Sequence, residues 1–315
     1  MSMKAIVTGC AGFIGSHLTE KLLNRGSSVL GVDNLRTGTK QNMATFLGTD
    51  RFEFLQMDIT NPKLRESVNG EYDALFHLAA ISSVRLSCEQ PLVVHEINAT
   101  GTLMMLELAR YCNTPRVVFS SSAAVYGKPE DLPVKEDEPT HPLSPYAASK
   151  LSAENYLSAY QEAFPIDATI LRYFNVFGPR QTYSEYSGVI SIFLNQALRG
   201  QQLTVEGDGK QTRSFIHVDD VVEATIKAAE QDNAIGQVLN ISGTDQISIL
   251  ELASMIDELE KDKKLEILHQ PKRPGDVRDS IGSIARAKRV LGFNPSKSLK
   301  DGLSETLSWY RNHTE

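Results

Sequence analysis

Three glycines, Gly9, Gly12 and Gly15, stand in "TGCAGFIG", where the compact apolar run "KAIVTG" (4–9) gives way to the helically spaced "FIGSHLTEKLLNRG" (13–26). Glycine at such points permits a tight turn, lets backbone approach a pyrophosphate and allows close strand–helix packing. The first N–H groups of the helix then face the phosphates. An ordinary strand–helix turn can carry glycines too, so the surroundings must decide. They favour a dinucleotide: Asp33 closes a second β-rich run 18 residues past Gly15, near the spacing of about 20 expected of a ribose-binding acid. A carboxylate there accepts hydrogen bonds from both ribose hydroxyls and repels a 2′-phosphate. Asn34 and Leu35 follow it, and Arg36 is the one nearby residue that would welcome phosphate. The expected cofactor is NAD rather than NADP.

The pattern that begins there continues. "SVLGVDN" (28–34), "FEFLQMDI" (52–59), "DALFHLAA" (73–80) and "RVVFSSS" (116–122) read as strands, and "VHEINATGTLMMLELARYC" (94–112) as one long amphipathic helix. Alternation of this kind predicts an α/β fold with a doubly wound parallel sheet. Five of the chain's 13 prolines, from Pro129 to Pro145, form a loop before a strong helix at 146–164, and "DATILRYFNVFGP" (167–179) is a strand that breaks into a loop. Beyond it the alternation weakens. The expected organisation is a nucleotide-binding domain over 1–172, with 214–245 returning to it, and a smaller mixed α/β substrate domain from 173–213 and 246–315.

With 315 residues, 41% of them hydrophobic, the chain can bury a large core. A net charge of −7 and the lack of a dense Lys/Arg tract argue against nucleic-acid and anionic-membrane partners. Three unpaired-looking cysteines, Cys10, Cys88 and Cys112, fit neither a disulfide framework nor a zinc site, so no metal is expected. No apolar run nears the roughly 18 residues of a membrane span, and no signal-peptide segment opens the chain, so the cytoplasm is the expected compartment.

"YAASK" sets Tyr146 and Lys150 four apart, on one face of a helix. A phenol with a free pKa of about 10 is a poor base, and a nearby ammonium would lower that value. Lys150 could also hold a ribose, and a hydroxyl from Ser120–Ser122 could bind a reacting oxygen. The pair alone could be an ordinary surface i,i+4 pair. Its place after a nucleotide-binding half and a serine-rich strand end argues for catalysis.

Gly9/Gly12/Gly15, Asp33, "HLAA" (77–80), "NATGT" (98–102), "SSSAAVYG", "YAASK" and "RYFNVFGP" together resemble the extended short-chain dehydrogenase/reductase family, and within it the nucleotide-sugar 4-epimerases. The likeness runs through nearly the whole chain, with the motifs in the family's order. It implies a catalytic triad of Ser122, Tyr146 and Lys150, with Ser120 and Ser121 as strand-end structure. It implies a cofactor site that also takes in Phe13, Ile14, Asn34, Leu78, Ala79 and Ala80, and an Asn98 that supports the serine-bearing strand. Asp58 and Ile59 would lie beside the adenine, although Asp58 reads nearly as well as a turn acid. For a UDP-sugar, the resemblance implies Asn175, Arg213 and Arg273 at the diphosphate and Asp276 at the uridine ribose. Bidentate guanidinium suits a diphosphate well. Arg278 is either a further anion contact or a surface ion pair. His77 and His217 read as structural.

The implied reaction is transient oxidation at C4 with NAD retained. Related 4,6-dehydratases carry an Asp-Glu pair just after the catalytic hydroxyl, and decarboxylases a Glu. This chain has Ala123 and Ala124 there, which can neither remove a C5 proton nor expel a C6 hydroxyl. Ser280 matches a position that in similar epimerases limits the space beside the C2 substituent. Together with Ser83, Gly188 and Val189 it suggests room for an N-acetyl group, and hence UDP-GlcNAc/UDP-GalNAc, with UDP-Glc/UDP-Gal as a further pair. The rival expectations are a UDP-glucose-only or UDP-uronate 4-epimerase, a 4-ketosugar reductase, and a dinucleotide-sensing binding protein. The family's homodimer would pair helices 94–112 and 146–164, although Leu103, Met104, Met105, Tyr156 and Tyr160 could equally be core.

Overall fold

In a computed structural model that describes residues 2–181, 188–260, 265–271 and 277–313, seven strands form one parallel sheet. They are β1 (Lys4–Thr8), β2 (Ser28–Asp33), β3 (Phe52–Gln56), β4 (Ala74–His77), β5 (Arg116–Ser122), β6 (Asp167–Tyr173) and β7 (Val238–Ile241), in the order β7-β6-β5-β4-β1-β2-β3. The longer helices are α1 (Phe13–Asn24), α2 (Gly101–Tyr111), α3 (Pro145–Ala163), α4 (Val189–Leu198), α5 (Val218–Glu230), α6 (Ile249–Leu259) and α7 (Leu299–His313). A parallel sheet must be covered on both faces, so its strands read as continuous apolar runs. β1 and β4 follow that rule, with every residue after Lys4 buried.

One face carries Val7, Val29, Phe76, Leu171 and Leu239 and packs against Leu18 and Leu22 of α1 and Val221 and Val222 of α5. The other carries Ile6, Leu30, Leu75, Val117 and Phe119 under Met105, Leu106 and Leu108 of α2 and Ala153 and Leu157 of α3. Met104 and Tyr160, set aside above as either core or interface, pack against this second core, whereas Tyr156 is exposed. A third core lies beyond the sheet. It joins Phe193 and Leu194 of α4, Leu252 and Ile256 of α6, and Leu303 and Leu307 of α7. A parallel pair, Leu203–Glu206 with Ile267–Gln270, adjoins it.

The segment 94–112 departs from the single helix that its spacing predicts. A short α-helix, Pro91–His95, runs into a π turn at Glu96–Thr100 before α2 begins. Such a bulge adds a residue to one turn and shifts the faces that follow. It leaves Asn98 buried and brings Gly101 so close to β3's end that a Cβ there would lie 2.6 Å from Ile59 Cδ1. α1 ends as expected, with Gly26 at φ +88° just past its last turn.

β1 and β4 are neighbours, and the chain proceeds from β1 toward β2 on one side and from β4 toward β5 on the other. In open sheets of this kind ligands sit in the crevice past the carboxyl ends of the strands at such a reversal. Both the glycine loop and the "HLAA" segment emerge there. Phe119, fully buried on β5 and stacked on His77 at 5.6 Å, ties this crevice to the second core. Phe119→Ala is expected to lower stability by about 3–5 kcal/mol, read as a lower midpoint in chemical denaturation.

Candidate active site

The glycine loop is tight because its atoms leave no alternative. Gly9 has φ +73°, and a Cβ on it would stand 2.9 Å from the Ala79 nitrogen. A Cβ on Gly15 would lie 2.0 Å from the Gly9 carbonyl oxygen. Gly12 N–H donates to that same oxygen at 3.0 Å, and its own carbonyl accepts from Ser16 at 3.0 Å, opening α1. Thr8 fastens the loop to the end of the neighbouring strand, β4: its hydroxyl oxygen accepts from Leu78 and Ala79 N–H, both at 3.2 Å. Gly9, Gly12, Gly15, Leu78 and Ala79 are thus brought together as the motif requires, with Phe13 and Ile14 half-buried at the start of α1 and Ala80 half-buried past β4. The loop fits a dinucleotide pyrophosphate: backbone without Cβ atoms at Gly9, Gly12 and Gly15 leads into the N-terminus of a 12-residue helix.

Asp33 is buried beside this loop. Its carboxylate accepts from Ala11 N–H at 3.0 Å and Leu35 N–H at 2.8 Å. The burial pushes its pKa up and those amides pull it down. Asp58 is committed locally. One oxygen accepts from Asn34 Nδ2 at 2.6 Å, the other from Thr60 N at 2.9 Å and Thr60 Oγ1 at 2.7 Å. These bonds hold its carboxyl below the usual carboxylate range against the opposing effect of burial. The acid joins the ends of β2 and β3, while Ile59 is buried in the second core.

At the end of β5 the three serines diverge. Ser120 Oγ donates to the His77 carbonyl at 3.1 Å. Ser121 Oγ donates to Glu154. Ser122 Oγ accepts from Ala124 N–H at 3.2 Å and lies near enough to the Tyr146 phenol to act on it. Ser144 caps α3 by accepting from Ala147 N–H, and Pro145 occupies its first turn, so Tyr146 stands at the very start of the helix with Lys150 one turn on. Both are buried. Burial pushes the Tyr146 phenol up, and the Ser122 hydroxyl pulls it down. Lys150 is reached differently from what the i,i+4 spacing implies. Its ammonium donates to the Ser120 carbonyl at 2.7 Å and lies 4.7 Å from the Phe119 ring centroid. Burial pushes its pKa down to about 7, with Glu154 opposing that fall.

Asn98 does not brace the serine strand as expected. Its Oδ1 accepts from Ile81 N–H at 2.8 Å, and its Nδ2 donates to the Ile81 carbonyl and to Ser149 Oγ, both at 3.0 Å. The π turn aims the amide at the segment past β4, which it pins to α3. His77 is a structural residue in a hydroxyl relay: Thr8 Oγ1 lies 2.7 Å from Nδ1, Thr102 Oγ1 lies 3.0 Å from Nε2, and Thr102 donates to the Asn98 carbonyl at 2.6 Å. The pattern assigns a neutral ring with its proton on Nε2. Full burial, with the Lys150 charge nearby, pushes His77 down to about 3. His217 is buried as the cap of α5.

On the substrate side, Asn175 Nδ2 donates to the Ser214 carbonyl at 3.0 Å and approaches the Ser280 carbonyl at 3.4 Å and hydroxyl at 3.5 Å. The short strand Thr212–Arg213 pairs with Asp279–Ser280, so Asn175, Arg213 and Ser280 meet. Arg213 Nη1 donates to the carbonyls of Thr212 at 2.8 Å and Arg278 at 3.1 Å. Arg278 resolves as an exposed ion pair with Asp208 at 2.8 Å. Ser83 caps the helix Val84–Glu89, Gly188 caps α4, and Val189 packs on the third core. Arg273 and Asp276 lie outside the described residues.

A family model described as GDP-mannose 4,6 dehydratase matches residues 6–306. The chain belongs to this family. Within it, a UDP-glucose 4-epimerase of Mycolicibacterium smegmatis is 37% identical, over 99% of this chain and 100% of its own. A UDP-N-acetylglucosamine 4-epimerase of Methanobrevibacter ruminantium, solved with UDP-N-acetylmuramic acid, superposes with a TM-score of 0.94 at 34% identity, covering 99% of both chains. A UDP-glucuronic acid 4-epimerase of Bacillus cereus, solved with UDP-glucuronic acid and NAD, gives 0.89 at 35% identity, covering 98% of this chain and 99% of that one. The family's short-chain dehydrogenase/reductase architecture is the one expected from the motifs. Among the described residues no helix is long and apolar enough to cross a membrane.

The His77 environment sets a pH signature. Its folded pKa lies below the unfolded value of about 6.5, so the unfolded chain binds the extra proton. Its contribution to stability is therefore complete above that value and is lost as pH falls toward about 3. His77→Gln is expected to flatten that part of the stability–pH curve, by up to about 1.4 kcal/mol per pH unit, in denaturation curves taken between pH 4 and about 7.

Proposed function

We propose that this protein interconverts the C4 epimers of a UDP-sugar through a 4-keto intermediate, with NAD retained, and that UDP-GlcNAc/UDP-GalNAc is its preferred pair. The observation that carries the reaction is the convergence of Tyr146 at the start of α3, the Ser122 hydroxyl at the end of β5 and the buried Lys150 ammonium on the Ser120 carbonyl, followed by a 3-10 turn, Ala123–Tyr126, that starts with two alanines. Gly9, Gly12 and Gly15 would cradle the pyrophosphate, Asp33 the adenosine ribose, and Lys150 the nicotinamide ribose. NAD held by those residues would supply a reversible hydride acceptor for C4.

Tyr146 takes the proton from the 4-hydroxyl as hydride departs and gives it back to O4 when hydride returns. Ser122 Oγ donates to the same oxygen, and the Lys150 ammonium lowers the cost of phenolate. Burial disfavours phenolate and the Ser122 hydroxyl opposes that effect; in the proposed reaction the positive charge at 150 works in the same direction as the hydroxyl. Neither Ala123 nor Ala124 offers an acid or base to C5 or C6, which leaves reduction as the way out for the ketone.

Ser280 lies beside Asn175, and the resemblance puts that position next to the sugar's C2 substituent, where a small side chain supports the N-acetyl preference. The Mycolicibacterium smegmatis relative favours a second reading, UDP-glucose alone. A product assay of the purified protein on UDP-GlcNAc and UDP-glucose, with no cofactor added, separates these. Turnover of UDP-GlcNAc is expected, and turnover confined to UDP-glucose would reject the preference. A requirement for added NAD(P)H would reject the epimerase in favour of a reductase. Tyr146→Phe is expected to lower kcat by about 10²–10⁴-fold, and unchanged turnover would remove Tyr146 from the chemistry. Ser280→Tyr is expected to raise KM for UDP-GlcNAc more than for UDP-glucose.

A further inference from the structure

Glu154 follows Lys150 by one helical turn and Tyr146 by two, so all three share a face of α3. It is buried, and three donors converge on its carboxylate. Ser121 Oγ and Arg172 Nε, the latter at 3.0 Å, reach Oε1, and Arg172 Nη2 reaches Oε2 at 2.7 Å. Arg172, buried on β6, extends the network. Its Nη1 donates to the Glu136 carbonyl at 3.3 Å, and its guanidinium lies 4.6 Å from the Tyr126 ring centroid. Tyr126 in turn donates to Asn240 Oδ1 at 2.7 Å.

A buried ion pair is a poor stabiliser, and apolar side chains of similar size often do as well or better. Its position is informative instead. Ser121 sits between the two residues of β5 that the site uses: Ser120, whose carbonyl receives the Lys150 ammonium, and Ser122, whose hydroxyl meets Tyr146. The Glu154 carboxylate therefore grips the strand end at its midpoint, from the helix that carries Tyr146 and Lys150.

We infer that Glu154 is a positioning residue for the reaction proposed above: from the helix face it shares with Tyr146 and Lys150, its carboxylate fixes against α3 the end of β5, and with it the carbonyl that receives the Lys150 ammonium. Among the described residues the groups facing Lys150 are few. Its own helix supplies Tyr146 and Glu154, β5 supplies the Ser120 carbonyl and the Phe119 ring, and β4 supplies His77 as a neutral ring. Arg172, from β6, faces Glu154 and partly offsets its charge. Glu154 is the anion that opposes the effect of burial on Lys150.

The test titrates Lys150 directly, by NMR of lysine labelled with ¹³C at Cε and assigned with Lys150→Arg. It compares the wild type with Glu154→Gln, with Glu154→Gln/Arg172→Gln, which leaves no unpaired buried guanidinium, and with Glu154→Asp. The Lys150 midpoint is expected to fall by about one pH unit in both Gln variants and to stay near the wild-type value in Glu154→Asp. The alkaline limb of kcat/KM is expected to move with it. A double variant whose midpoint and pH profile match the wild type, with only its thermal unfolding altered, would reduce Glu154 to half of a structural ion pair. Ser121→Ala keeps the ion pair and tests the grip separately. Its kcat is expected to fall about ten- to a hundredfold with KM little changed, and a wild-type kcat would overturn that role. The titration needs no turnover, so a protein inactive on every UDP-sugar would contradict the proposed reaction without touching this result.

Discussion

One buried cation organises the site. The Lys150 ammonium has left water for a 2.7 Å bond to the Ser120 carbonyl and the face of Phe119, surroundings that by themselves favour the neutral amine. Several nearby features answer that cost. The carbonyl it binds belongs to the end of β5, in register with β6 from Arg116↔Asp167 to Ser122↔Tyr173. The neighbouring His77 is kept neutral by its full burial and by the Lys150 charge, with two threonines fixing its tautomer. A carboxylate stands one turn away on the same helix. The fold thus places a strand end, a neutral ring and a buried anion where one lysine can remain charged beside one tyrosine.

The two ends of the site differ in what holds them. The glycine loop is defined by excluded volume: contacts of 2.0 and 2.9 Å to hypothetical Cβ atoms show that no other residue fits at Gly15 or Gly9 without movement of the backbone. The catalytic end is defined by hydrogen bonds among side chains on β1, β4, β5, β6, the π turn, α2 and α3. Chemistry in this family can therefore change at the catalytic end without change to the loop. Ala123 and Ala124 illustrate the point. They lie on a short turn that packs on α3, and in the proposed reaction their methyl groups offer a ketosugar neither an acid nor a base.

Much of this was legible in the sequence because it rests on local spacing. The glycine triplet, Asp33 and the Tyr146–Lys150 pair each depend on a fixed offset along one strand–helix unit, and the alternation of apolar runs gives a parallel sheet directly. The parts that were missed depend on long-range partners. Asn98 was expected to support the serine strand, but a π turn, which residue spacing does not announce, aims it at Ile81 and Ser149. Arg172 reads as one more strand residue until β6 carries it next to Glu154. Glu154 itself carried a usable signal, a carboxylate four residues past Lys150 on the catalytic face, and only its place in a buried network distinguishes it from a surface i,i+4 partner.

The central claim is that the ketone formed here has no exit except reduction at C4. Turnover of UDP-GlcNAc or UDP-glucose in D₂O, followed by NMR of the recovered sugar, tests it most directly. The account predicts both C4 epimers with protium retained at C4, C5 and C6. Deuterium at C5, or loss of the C6 oxygen, would contradict it.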